Sequence, residues 1–428
     1  MGTTTRLIVP ALAMLLLACG PTPPPETGPG KAGGPGGPGG VAPLPGPRRV
    51  VSKAAKTDFK EVVKEYEQAL KSGGINKSNC SQLAQSFGEV YQSHPKLAEA
   101  KFNEGVVWEE CGDLNKAERA YKALLQRHPH FGAAINNLGQ IYFERGNIGQ
   151  ASTYFQQASA LKNSEAYANM AVLQRNRALA GDPQMVKEAI NNVHRALAVD
   201  SFNIEAYATL ALVLYDHAQN DSQLEMARLI CVQATKVDDK YYPIYNILGL
   251  ILLRQRRVTP ALAEFKQAVA LNNDFMEAHM NIGAITLSFR DYKTAQDSFS
   301  RVLALNPPRK TKLEALVGLG VALRGQRQFK EAMQRYKEAL RLDPTSVEIA
   351  YNQGILVQDY LFDAGNPAKA IQDLQTAANY LQQYVSGGKN KKKVKDAQRR
   401  LKNINELIPM LREQQKMMRE MGGGGKKT

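Results

Sequence analysis

The chain has 428 residues, 22% charged and 7% aromatic, a length that would fill two or three globular domains unless a repeat lets the fold grow by addition. Its formal charge of +15 is uneven, since 13 Lys and Arg face four Asp and Glu from Lys389 onward, leaving the rest close to balance. Four cysteines with no CxxC pair and no His/Cys cluster exclude a zinc module.

Residues 1–18 read as an export signal, with Arg6 followed by an apolar run from Leu7 to Ala18 that is too short to span a bilayer. Leu16, Leu17, Ala18 and Cys19 resemble the lipobox of bacterial lipoproteins. That resemblance implies cleavage before Cys19 and lipidation of its sulfur and new amine. Gly20 stands where an aspartate would hold the protein at the inner membrane, so the expected address is the periplasmic face of the outer membrane. Several acyl chains anchor stably where one holds only marginally. Ten of the residues from Gly20 to Val50 are Pro and ten are Gly. Such a stretch cannot bury a core, so 19–56 is read as a lipidated cysteine plus a flexible tether. Its reach as a coil is about 30 Å.

Residues 57–97 predict a helix pair. Phe59, Val62, Val63, Tyr66 and Leu70 share one face of a helix from Asp58 to Leu70, and Gly73-Gly74 breaks it. Leu83, Phe87, Val90 and Tyr91 mark a second helix that ends at His94-Pro95. An atypical pair here would cap the first face of an array.

From 98 to 386 one pattern returns. Gly105, Gly139, Gly249, Gly283, Gly320 and Gly354 are each followed 12 or 16 residues later by Ala117, Ala151, Ala261, Ala295, Ala332 and Ala370. Two further units carry Ala171 with Ala189 and Ala211 with Ala227. Four residues beyond these alanines stand Tyr121, Phe155, Val193, Cys231, Phe265, Phe299, Tyr336 and Leu374. The Gly or Ala leaves a notch in a first helix, paired small residues let a second helix approach, and the large residue fills the gap. One hairpin cannot bury its apolar stripe alone, so neighbours must stack.

This spacing, clearest in Ile135, Leu138-Gly139, Tyr142, Ala151, Phe155 and Ala158, resembles the tetratricopeptide repeat (TPR). The resemblance implies an all-α superhelical solenoid of about eight helix-turn-helix repeats with capping helices at both ends. The third, fourth and eighth units carry extra residues, expected as protruding turns near Ala180 to Pro183, Gln219 to Asp221 and Ala364 to Pro367. In TPR arrays the first helices line a concave groove. Two residues before the notch stand Asn103, Asn137, Asn169, Asn281 and Asn352, which by that resemblance hydrogen-bond the backbone of an extended ligand; the alternative is that asparagine is merely frequent there. One residue after the notch, Val106, Val172, Leu212, Leu250, Ala284, Val321 and Ile355 form an apolar strip. The lysines of the carboxylate-clamp type are missing at that position, so a hydrophobic extended segment or helix of a protein partner is expected.

Cys80 and Cys111 fall near the turns of adjacent units, and an oxidising periplasm would bridge them. The alternative is two unpaired thiols, and Cys231, on a core-facing position, is expected to be free. Residues 387–428 begin with the Gly387-Gly388 break and a basic run from Lys389 to Lys393. Val394, Ala397, Leu401, Ile404, Ile408, Leu411 and Met418 then form one stripe of a long helix, bent near Pro409. It reads as a cap over the last repeat or a handle for a partner, with the basic tail open to an anionic partner. The end from Gly422 to Thr428 is expected to be disordered.

Catalytic signatures are missing. Six scattered histidines give no HExxH, and no GxSxG or GxxxxGK occurs. Gly318-Leu319-Gly320 imitates the start of a dinucleotide loop, but lies inside a first helix with Leu323 in place of a third glycine. No enzyme activity, cofactor, metal or nucleic-acid partner is expected. The whole layout resembles the TPR lipoproteins of gliding motility, which implies a scaffold for envelope proteins of a trans-envelope complex. The alternatives are a pilotin-like lipoprotein and an accessory to peptidoglycan or polysaccharide enzymes.

Overall fold

The computed structural model describes residues 52–72, 75–76, 78–363 and 365–423. Cys19, the Gly/Pro tether and the last five residues lie outside them. The chain divides into two compact units, 1–217 and 218–428, and no strand occurs among the described residues.

The first unit holds α1 (Lys53–Lys71), α2 (Cys80–Ser93), α3 (Ala98–Glu110), α4 (Leu114–Arg127), α5 (Gly132–Glu144), α6 (Ile148–Ala160), α7 (Ser164–Leu179), α8 (Met185–Val199) and α9 (Ile204–His217). The second holds α10 (Asp221–Val237), α11 (Tyr242–Arg254), α12 (Val258–Leu271), α13 (Met276–Ser288), α14 (Tyr292–Ala304), α15 (Arg309–Gly325), α16 (Phe329–Leu342), α17 (Val347–Leu356), a π turn (Val357–Leu361), α18 (Pro367–Gly387) and α19 (Lys391–Gly423). Many starts are capped by side chains. Asp113, Asn147, Asn163, Asn220, Asp291 and Asn366 each accept from the backbone N–H three residues on, satisfying a donor the helix leaves open. Ser52 does the same for α1, which starts at Lys53, earlier than the boundary read at 56.

The notch packs as the repeat spacing predicts. A Cβ on Gly139 would lie 2.6 Å from Phe155, and one on Gly249 2.6 Å from Phe265. Phe299 is flanked by Gly283 of its own hairpin and Gly318 of the next, with added Cβ atoms at 2.7 and 2.5 Å. This packing contact is the role of Gly318 inside α15. All eight repeat alanines are fully buried, as are the small or apolar residues seven further on. Truncating a ring such as Phe155 or Phe265 to alanine would cost about 3–5 kcal/mol. The eighth repeat departs from this rule: Gly354 faces Leu381 rather than Leu374, 2.8 Å from an added Cβ.

The predicted protruding turns are only partly present. The connections 180–184 and 362–366 are longer than the 145–147 connection, but 218–220 is not. Extra residues instead lengthen helices: α7 has 16 residues and α10 has 17, against 13 in α5. In the eighth repeat the surplus goes into the π turn, a one-residue insertion per turn that keeps the backbone hydrogen-bonded. A left-handed residue stands seven after five of the notch glycines: Gly112, Gly146, Arg256, Arg290 and Arg327. The first two are glycine, for which this conformation is free of strain; the three arginines are exposed.

Each end of the array is closed. In the first unit Tyr66 and Phe87 of the leading pair are buried against α3, and a disulfide joins Cys80 to Cys111 with Cα atoms 6.1 Å apart. In the second unit Ala397, Ile404 and Leu411 of α19 are buried with Leu374, Ala377 and Leu381 of α18. The basic run that leads into α19 is not wholly solvated, because Lys393 in its first turn pairs with Glu348 at 2.6 Å and sits over the Tyr351 ring. Tyr351 donates to Asp396 at 2.9 Å, and Arg400 reaches Asp359 at 2.7 Å. Beyond Leu411 the helix is largely exposed, with Met417 and Met418 half in solvent.

Candidate partner-binding face

The first helices of the repeats carry the residues expected to meet a partner. Four of the five asparagines use an amide N–H inside the chain. Asn169 donates to Asn136 of the preceding repeat, and Asn281 to Asn246, each at 2.9 Å. Asn137 donates to the Tyr121 hydroxyl at 3.0 Å and to Glu109 at 3.3 Å. Asn352 bonds the Glu348 carbonyl at 3.1 Å within its own helix. Asn103 is buried, and its nitrogen has no partner among the described residues. Asn137, Asn169 and Asn281 therefore tie adjacent repeats together, a role the groove resemblance does not include, whereas Asn352 and Asn103 do not.

The apolar strip one residue after the notch is mixed. Val106 and Leu212 are buried in the core, whereas Val172, Leu250, Val321 and Ile355 are half-buried and Ala284 is exposed. Leu250 and Val321 thus stay partly open on the face assigned to them. Cys231 is fully buried, and burial pushes its thiol up to about 12.

A richer row lies four and five residues after the notch. In the first repeat Glu109 accepts from the Tyr121 hydroxyl at 2.9 Å, and Glu110 accepts from Tyr66 at 2.6 Å. Burial lifts the Glu109 carboxyl to about 8, with Glu144 and Glu110 adding to the rise while the bonds to Tyr121 and Asn137 oppose it. Tyr121 is raised by burial and then by the Glu109 charge. At the same register Arg175 and Asp216 form an ion pair at 2.5 Å between α7 and α9, each 12% exposed. In the second unit Arg254 donates to the Ala218 carbonyl, and Arg400 covers Gln358 and Asp359. Arg324 stands there too, beside Tyr336. Sequence reasoning missed this row because it weighed only the positions next to the notch. The signal was available: Glu109, Arg175 and Arg324 replace the Phe143, Leu253 and Leu287 of other repeats.

No group of three or more His, Cys, Asp or Glu among the described residues could hold a metal ion. No described helix is long and apolar enough to cross a membrane.

Family models described as tetratricopeptide repeat match residues 110–173, 246–310 and 313–346. Among curated proteins the chain is 26% identical over 220 residues to human Protein O-mannosyl-transferase TMTC1, covering 51% of this chain and 24% of that one. It is 21% identical over 302 residues to the bovine BBSome complex member BBS4, covering 68% and 55%. The chain thus spans about a quarter of the first relative and about half of the second. Among solved structures it is similar to the human IFIT1 dimer with m7Gppp-AAAA, with 14% identity, a TM-score of 0.50, and 83% of this chain and 88% of that one covered. A Pseudomonas aeruginosa pilF structure is also similar, at 21% identity and a TM-score of 0.42, covering 52% and 96%. Hairpin packing and the family models agree: the chain carries tetratricopeptide repeats and folds as an all-α array of them.

Proposed function

We propose that the chain is a non-enzymatic scaffold, anchored in the outer membrane through Cys19, that holds protein partners of a trans-envelope machine, with gliding motility the first candidate. The observation that carries the scaffold is the run of nested hairpins. It presents half-buried Leu250 and Val321 with paired polar groups on its first helices, and the sequence offers no catalytic constellation beside them. The lipobox-like Leu16 to Cys19 and the Pro/Gly stretch supply the envelope part of the reading.

Cys19→Ser and wild-type protein, compared by fatty-acid labelling and membrane fractionation, test the anchor. The wild type should carry label and float with outer membrane, and the variant should do neither. Capture from solubilised envelopes tests the partners. Motility proteins support the proposal, secretin or pilus proteins favour the pilotin reading, and wall-synthesis enzymes favour the accessory reading. Capture of nothing by a lipidated, folded chain overturns the scaffold.

A further inference from the structure

The last hairpin is lopsided, because α18 has 21 residues and α19 has 33. The stripe that α19 lays on α18 ends at Leu411, and no residue from Arg412 to Glu420 is buried. Residues 412–423 run on past it, about 18 Å of helix at 1.5 Å per residue. A helix of that length is marginal in water unless something covers its apolar side. That side is open here: Met410, Met417 and Met418 are 67%, 51% and 48% exposed.

The charges of α19 share this open side. Met410 and Met417 stand two turns apart, on a line that runs back through Arg399 to Lys392. The buried line of Ala397, Ile404 and Leu411 lies roughly a quarter turn away. The outward line is therefore cationic at its start and apolar at its end. Lys393, Arg399, Arg400 and Lys402 are taken up by Glu348, Asp396, Asp359 and Glu406. Lys391, Lys392, Lys395 and Lys416 are exposed and enter no ion pair among the described residues. The remaining acids, Glu413 and Glu420, stand among Arg412, Lys416 and Arg419.

A surface that covers this line has to offer negative charge and apolar depth together, over about 37 Å from Lys392 to Met417. A polyanion supplies the charge alone, and an apolar groove the depth alone. The headgroup boundary of an anionic bilayer supplies both on one flat face: ammonium groups stay at the phosphates while thioether side chains sink below them. We propose that the outer side of α19, from Lys391 to Met417, docks in the plane of a bilayer surface containing anionic phospholipid. No described helix is long and apolar enough to cross a membrane, so this contact lies on the bilayer. It is separate from the acyl chains proposed at Cys19.

The test uses the full chain carrying Cys19→Ser, so that no acyl chain contributes. It reads the rate at which hydrogen peroxide oxidises each methionine, resolved by peptide mass. Met226 of α10, 56% exposed and far from α19 in the chain, is the internal reference. Vesicles of phosphatidylglycerol and phosphatidylcholine in equal parts are compared with phosphatidylcholine alone and with soluble polyphosphate. Oxidation of Met410 and Met417 should slow about threefold or more with the anionic vesicles only, as burial of a thioether requires. Met226 should keep its rate throughout. Lys391→Gln, Lys392→Gln and Lys395→Gln together should raise the lipid concentration for half protection about a hundredfold, at about fivefold per lysine. No protection by anionic vesicles, equal protection by phosphatidylcholine alone, equal slowing at Met226, or an unchanged half-point in the triple variant would each overturn the docking face. Equal protection by polyphosphate would overturn it in favour of a soluble polyanion. Protection by vesicles, together with a wild-type Cys19 that takes no fatty acid, supports the face and overturns the anchor; an acylated Cys19 without protection does the reverse.

Discussion

Replacing Glu109 by glutamine should nearly flatten the pH dependence of stability in the first unit. The folded carboxyl titrates at about 8 because burial disfavours its charge, against an ordinary value of 4.5. Between those values the folded state keeps a proton that the unfolded chain has released. The stabilisation is therefore complete below pH 4.5 and is lost as pH rises through about 8. One proton gives a slope of at most about 1.4 kcal/mol per pH unit, and the whole window is worth up to roughly 5 kcal/mol. Glu118 does not confuse the result: burial works to raise it, but its bonds to Lys122, Arg145 and Tyr142 prevail and hold it at about 2. Its contribution is lost only as pH falls below 4.5, outside this window. Glu110 and Glu165, also raised by burial, will leave a small residual slope in the variant. Glutamine keeps an acceptor for Tyr121 and Asn137, so the geometry survives. Guanidinium unfolding followed by Trp108 fluorescence reads the effect locally, since Trp108 adjoins Glu109 and lies under Lys116 Nζ at 3.9 Å. At pH 4.5 and below the two proteins should agree, the gap should open steadily as pH rises from there, and at mildly alkaline pH the variant should be more stable by about 2–4 kcal/mol. Parallel slopes for wild type and variant would refute the account of a buried, protonated acid.

Other outcomes follow from the packing. Gly139→Ala should destabilise by about 1–2 kcal/mol in denaturant unfolding, because overpacking against Phe155 outweighs the gain in helix propensity. Adding Phe155→Leu should recover most of that loss, and additive effects would show that the two do not touch. Arg290→Gly should raise the melting temperature, by roughly 0.5–1 kcal/mol of relieved left-handed strain; a fall would mean that the side chain is held by contacts worth more. Unreduced native protein should resist thiol reagents at all three described cysteines, because Cys80 and Cys111 are bridged and Cys231 is buried with its thiol raised to about 12. After reduction the half-buried Cys111 should label first under native conditions, the buried Cys80 more slowly, and Cys231 only on unfolding; immediate labelling of Cys231 would contradict its burial.

Much of the architecture was legible because small residues at a fixed period leave few ways to pack. Ala151, Phe155 and Ala158 announce a hairpin wherever they recur, and the helix pairs fall on those positions. Local accommodation was not legible. Whether surplus residues enter a loop, a longer helix or a π turn depends on the neighbouring hairpin, and the shift from Leu374 to Leu381 against Gly354 follows from that choice. The candidate face was only half legible. Asparagine two residues before the notch marks the first helix of a hairpin, yet Asn169 and Asn281 bond across to Asn136 and Asn246. Glu109 and Arg324 stand out in the sequence as charges where other repeats are apolar, but such a charge means little until the tyrosine 12 residues away is seen beside it.

A stack of hairpins has two open faces, and here they are sealed by unlike chemistry. A covalent sulfur link ties α2 to α3 at the front, whereas the polar ties of the rear helix are Lys393 on Glu348, Arg400 on Asp359 and Asp396 on the Tyr351 hydroxyl. Reductant acts on the first seal and leaves the second untouched; concentrated salt does the reverse. The two extremities can therefore fray independently, one in response to electrons and the other to ions.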